Sequence, residues 1–137
     1  MKKTMTVLCV LALMGCSTGT VNTAGPKNTT ANEIEIKDKR VTTDKKLSGD
    51  VRLIGLNESV TPDGLRKVQA EFLNRRDEVH RFQYQWEWFD ENGMRINTPL
   101  SRWRYETIAG KETKYLQGTA PTPSAKDFTL KIIRPEN

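Results

Sequence analysis

The stretch Phe82-Gln83-Tyr84-Gln85-Trp86-Glu87-Trp88 decides how this chain folds. Four aromatic residues alternate with three polar ones, so in an extended strand every ring points to one side. A helix would scatter the same rings around its circumference. Asp90-Glu91-Asn92-Gly93 then supplies turn chemistry, and Met94-Arg95-Ile96 can begin a return strand. Phe82, Tyr84, Trp86 and Trp88 are therefore expected in the core, because each strand of a sandwich needs one apolar face and this strand has the largest. The alternative use for such rings is a sugar-stacking platform.

Outward from this strand the period stays at two. Residues 65–74 place Val68, Ala70 and Phe72 on one face and Lys67, Gln69 and Glu71 on the other, the pattern of a half-buried antiparallel strand. Thr61-Pro62-Asp63-Gly64 before it is a turn, since Pro presets φ and Gly tolerates a positive one. Val51-Arg52-Leu53-Ile54-Gly55-Leu56 suits a buried strand, and Glu33-Ile34-Glu35-Ile36 alternates cleanly. Downstream, Trp103-Arg104-Tyr105-Glu106-Thr107, residues 112–116 and Phe128-Thr129-Leu130-Lys131-Ile132-Ile133 read as three more strands. The breaks between them are Ala109-Gly110-Lys111 and Pro121-Thr122-Pro123-Ser124. About seven short strands, no long helical period and no internal repeat predict an all-β fold over residues 33–137. The expected architecture is an immunoglobulin-like or fibronectin-like β-sandwich, with a small closed barrel as the alternative.

The amino-terminal part has a different character. Lys2 and Lys3 precede a short apolar run, 7–14, which is too short to span a bilayer and is followed at once by polar residues, so 1–15 is expected to be a signal peptide. Leu13-Met14-Gly15-Cys16 resembles a bacterial lipobox, with Leu three positions before Cys and a small residue just before it. That resemblance implies cleavage before Cys16 and lipidation of its thiol and freed amine, with palmitate among the acyl chains; an ordinary signal peptide with a chance Cys is the alternative. Several acyl chains anchor stably, at about 0.8 kcal/mol per buried methylene. Ser17, where Asp would resemble a retention signal, points to the outer membrane. Residues 16–32 are Thr, Asn, Ser, Gly and Ala with one Pro and no aromatic, a flexible tether with a coil reach of roughly 20–25 Å.

Composition narrows function mainly by exclusion. The chain has 137 residues, 22 Lys plus Arg and 17 Asp plus Glu, for a formal charge of +5. Cleavage takes Lys2 and Lys3 away, two of the 22 basic residues, and leaves +3, too little to argue for nucleic acid as a partner. Of the two cysteines, Cys9 departs with the signal and Cys16 carries lipid, so the folded part has neither a disulfide nor a thiol nucleophile.

A resemblance covers most of the chain. Tyr84-Gln85-Trp86-Glu87-Trp88-Phe89-Asp90-Glu91-Asn92-Gly93, then Trp103, Ile108-Ala109-Gly110-Lys111-Glu112, Ala120-Pro121 and Phe128-Thr129-Leu130-Lys131-Ile132, behind the lipobox, resemble the YcfL-like family of bacterial lipoproteins. The resemblance implies a periplasmic immunoglobulin-like sandwich with no established biochemical activity. Such relatives can sit in genomes beside a lipoprotein that activates peptidoglycan synthases, an association with the cell wall.

Candidate chemistry is sparse. His80 is the single histidine, and a general base would need a nucleophile and an orienting carboxylate beside it; otherwise it is a surface or sheet-edge residue. Asp90-Glu91-Asn92-Gly93 lacks the spacing of a calcium loop and is expected to be a hairpin turn. There is no phosphate loop and no Gly-x-Ser-x-Gly elbow. No catalytic residue, metal or cofactor is expected, apart from the covalent lipid at Cys16. If Trp103 and Tyr105 face the core, Arg102 and Arg104 face solvent and form a basic stripe that could meet an acidic partner or peptidoglycan carboxylates; a solvated face with cross-strand Glu partners is the alternative. The expected function is a lipid-anchored, non-catalytic adaptor domain for an envelope protein partner, on the periplasmic side of the outer membrane. Direct binding of peptidoglycan, or support of its synthesis, is the second reading.

Overall fold

Strand propensity and alternation are expressed as two packed sheets. The computed structural model describes residues 35–136. The expected signal peptide, Cys16, the tether and the first two residues of the 33–137 domain lie outside the described residues. In chain order the described elements are β1 (Val41–Thr43), α1 (Lys45–Ser48), β2 (Val51–Val60), β3 (Arg66–Asn74), β4 (His80–Phe89), β5 (Arg95–Ile96), β6 (Arg104–Ile108), β7 (Thr113–Thr119) and β8 (Asp127–Ile133). The smaller sheet has the order β2-β3-β7, and the larger has β1-β8-β4-β5 with β6 also on β4. All pairings are antiparallel except β1 with β8, which is parallel. Because β8 spans β4 from Gln83 to Phe89, β5 and β6 share the opposite margin of β4.

This is the expected β-sandwich, with differences in detail. Eight strands stand where about seven are expected. The three-residue β1 is too short to show a period and depends on its pairing with β8. Alternation at 33–36 does not yield a strand in its described half: Glu35 and Ile36 are irregular, with the Ile36 N–H donating to the Leu53 carbonyl at 2.9 Å. Helix α1 is a single turn started by Asp44, whose carboxylate accepts the Lys46 N–H at 2.8 Å.

The aromatic strand supplies the core. Phe82, Tyr84, Trp86 and Trp88 are all buried, together with Phe128, Leu130 and Ile132 of β8, against Val68, Ala70, Phe72 and Leu116 of the smaller sheet. Trp86 and Trp88 stack at 6.1 Å between centroids, and Phe128 tilts against both at 5.5 and 6.1 Å. Burying each such side chain contributes on the order of 2–3 kcal/mol.

Each end of the sandwich is closed by a polar residue. At one end Arg40 lies 4.5 Å above the Phe128 ring and pairs with Asp38 at 2.9 Å, Glu58 at 2.7 Å and Asp127 at 3.8 Å. Glu58 is in β2 and Asp127 in β8, so one guanidinium ties the two sheets together. At the other end the buried Asn74 donates through Nδ2 to the carbonyls of Glu78 at 2.7 Å and Ala109 at 2.9 Å, and its Oδ1 accepts the Arg76 N–H at 2.9 Å. Gly110 sits so close to the 75–79 loop that a Cβ there would stand 2.0 Å from the Asp77 carbonyl oxygen. These contacts lock the end of β6 beside the start of β4 and so set the surface described next.

Candidate functional site

Strand β6 presents the opposite face from the one its rings suggest. Register pairs Tyr105 with Gln83 and Arg104 with Tyr84, so Tyr105 stands on the outer face of the sheet and Arg104 on the core-side face. Tyr105 is 76% exposed and Trp103 40%, which overturns the expectation that both are core. Ile108 sets the phase. Along the core-side face of β6 the residues pass from buried Ile108, through half-buried Glu106, to exposed Arg104. Three strands do not cover five: toward Arg104 the smaller sheet no longer shields β6, and a basic side chain is tolerated on that face. Lys114 of β7 reaches across this open margin to Glu106 at 3.7 Å.

Arg102 and Arg104 are both exposed, as the basic-stripe reading requires, although they are not backed by buried rings. They lie instead beside exposed aromatic surface. Arg102 sits in the loop before β6, where Gln85 donates to the Ser101 carbonyl at 3.0 Å and holds the loop to the sheet.

The chain has ten arginines, and their pairing divides them. Arg40, Arg52, Arg66, Arg76 and Arg95 have carboxylate partners. Among the described residues, Arg75, Arg81, Arg102, Arg104 and Arg134 have no carboxylate within the 4.0 Å of an ion pair. Four of those five surround β6. Arg81 lies opposite Thr107 in the ladder, and Arg81, Tyr105, Thr107, Arg134 and Pro135 line a cleft of about 400 Å³. Glu106, the carboxylate at that cleft, is engaged by the Thr107 N–H at 2.9 Å and by Lys114. The cleft is thus cationic with an aromatic wall. Arg81 and Arg134 are the members of this surface that sequence reading misses; they lie in different strands' flanks, and only pairing of β4 with β6 and β8 brings them together.

His80 lies at the base of the same cleft, 8% exposed. Its Nε2 is 3.6 Å from the Asp50 carboxylate, and its Nδ1 is 3.5 Å from the Arg134 guanidinium. Arg76 bonds the other Asp50 oxygen at 2.6 Å, and that hydrogen bond holds the Asp50 carboxyl below its ordinary range. Among the described residues no hydroxyl is within hydrogen-bond distance of His80, so the group couples β2, β4 and the end of β8 rather than activating a nucleophile. The Asp90–Gly93 stretch is a turn: Asp90 Oδ1 accepts the N–H groups of Asn92 and Met94, each at 2.9 Å, and Gly93 has a φ of +75°. No group of three or more His, Cys, Asp or Glu side chains able to hold a metal exists among the described residues.

Comparison with known proteins places the fold. The family model described as "Protein of unknown function (DUF1425)" matches residues 38–134. A crystal structure of a DUF1425 family member from Shewanella sp. pv-4 is similar, with a TM-score of 0.58 at 17% identity, over 64% of this chain and 80% of that one. The crystal structure of Campylobacter jejuni cj0090 is also similar, with a TM-score of 0.62 at 17% identity, over 72% of this chain and all of that one. No curated protein matches the chain.

Proposed function

The chain belongs to the DUF1425 family, whose function is unknown, and on that premise we propose that it is a non-catalytic binding or adaptor domain held at the cell envelope by a lipid on Cys16. The lipobox-like Leu13-Met14-Gly15-Cys16, the polar stretch after it and the resemblance to YcfL-like lipoproteins support the anchor and a place on the periplasmic side of the outer membrane. The observation that carries the binding role is the grouping of Arg81, Arg102, Arg104 and Arg134, none with a carboxylate partner among the described residues, around exposed Tyr105 and Trp103. Arginine and aromatic residues concentrate binding energy at protein interfaces, and unpaired guanidinium groups select an acidic partner. No cofactor enters this reading.

The test is site-specific photo-crosslinking in cells, with the reactive group at Tyr105 or, on the opposite sheet, at Thr119. A partner crosslinked from Tyr105, absent from Thr119 and reduced with Cys16→Ala supports the adaptor. Equal products from both positions, or none from Tyr105, overturn it. A second reading, binding of peptidoglycan, draws on the same surface, since glycan rings stack on exposed aromatics and stem peptides carry carboxylates. Sedimentation with purified peptidoglycan, abolished by Arg102→Ala/Arg104→Ala, would favour that reading over the first.

A further inference from the structure

We infer that the β6 margin of the larger sheet receives an acidic peptide segment as an added strand, with one of its carboxylates seated between Arg81 and Arg134. This rests on the binding-domain reading above and names the ligand class. Strand β6 pairs with β4 alone among the described residues, so its other margin carries backbone N–H and C=O groups outside the ladder. The Thr107 N–H is capped by its neighbour Glu106 at 2.9 Å, and such a cap guards an edge without closing it. An extended peptide completes that kind of edge with main-chain hydrogen bonds, while its alternate side chains meet surface pockets. The pocket here is the cleft bounded by Arg81, Tyr105, Arg134 and Pro135, about 400 Å³ in volume, enough for a carboxylate side chain and an apolar neighbour against the ring.

Charge chooses the occupant. A second copy of the chain would bring two sets of unpaired arginines face to face, so self-pairing through this margin is disfavoured. A carboxylate between Arg81 and Arg134 supplies the anion that both guanidinium groups lack. An anionic lipid surface would satisfy the arginines but would leave the open strand edge unused. The peptide satisfies both.

The full mature chain is titrated with an acetylated decapeptide of alternating Glu and Val. Controls are the same peptide with Lys for Glu, the same peptide N-methylated at alternate residues, and vesicles containing phosphatidylglycerol. The expected result is saturable binding of the Glu peptide that weakens as salt rises, falls about tenfold or more in Arg81→Ala/Arg134→Ala, and slows hydrogen exchange at the Tyr105 amide. The N-methylated and Lys peptides should bind at least tenfold more weakly. Equal binding of the N-methylated peptide, no change at the Tyr105 amide, or binding to vesicles but not to peptide overturns the added-strand proposal. If the Tyr105 crosslink to an envelope protein is seen while the peptide result is negative, the strand proposal alone falls; loss of both removes the adaptor reading as well.

Discussion

Gly118 and Trp86 occupy one space. A Cβ on Gly118 would stand 2.6 Å from Cδ2 of the Trp86 indole and 2.8 Å from Cε2, so the ring of the larger sheet lies directly on the backbone of β7 in the smaller. The absence of a side chain in β7 is what lets the widest ring of the aromatic strand enter the core.

Gly118→Ala should therefore destabilise the fold by about 2 kcal/mol through overpacking. The Trp86 indole N–H is buried without a hydrogen-bond partner, so Trp86→Phe forfeits no bond there. In urea denaturation the double variant Gly118→Ala/Trp86→Phe should be more stable than the sum of the two single effects. Strict additivity would show that the two residues do not compete for the same volume.

Asn74 binds three backbone groups at the end of the sandwich nearest the cleft. Asn74→Ala should cost about 3 kcal/mol, because it leaves the Arg76 N–H and the two carbonyls without that partner. Asn74→Asp should be worse at pH 7, since a carboxylate would face the carbonyl oxygens of Glu78 and Ala109. Chemical denaturation of the two variants gives the order.

Acid should weaken the fold through identified carboxyls. Glu87 is buried on the outer face of β4, bonded by Lys131 at 2.7 Å and Thr129 at 3.2 Å, with Arg95 at 3.3 Å. The Lys131 bond holds its carboxyl below the ordinary 4.5, and the Arg40 bond does the same for Asp38 below 3.8. Both pKa values are depressed by folding, so the unfolded chain takes up protons first as pH falls. Their contribution is complete above those ordinary values and is lost as pH drops through the lower, folded ones. The urea midpoint should hold between pH 7 and about 5 and fall below about 4.5. Glu87→Gln should lower stability at pH 7 by about 1–2 kcal/mol and flatten the acid limb.

The phase of β6 can be read from stability alone. Ile108→Ala should destabilise by about 3 kcal/mol because it empties a fully buried site. Tyr105→Ala should shift stability by less than about 0.5 kcal/mol, as befits an exposed ring. A large loss from Tyr105→Ala would mean that the ring is core after all.

Most of the fold was legible in alternation. The aromatic strand, the 65–74 strand and the Pro-Asp-Gly turn each act over adjacent residues, so local pattern suffices: Gly64 takes a φ of +81°, and the Thr61 N–H bonds the Leu65 carbonyl at 2.8 Å. Strand β1 was not legible, because three residues have no period of their own and owe their form to β8. In 103–108 two phases compete, Trp103 with Tyr105 against Ile108. Counting rings favours the wrong one. The exposure of Arg102 and Arg104 was legible from their charge, whereas the surroundings of those two residues were not.

The amino acids by themselves determined that this chain would form alternating strands with one heavily aromatic face, since side-chain direction in a strand follows from backbone geometry with a period of two. Tertiary structure decided which face of β6 meets water and which arginines are left without carboxylates. Those outcomes depend on where a three-stranded sheet stops covering a five-stranded one, and on strands far apart in sequence, β4, β6 and β8, lying side by side. Coverage is a property of the packed pair of sheets, and no single segment encodes it.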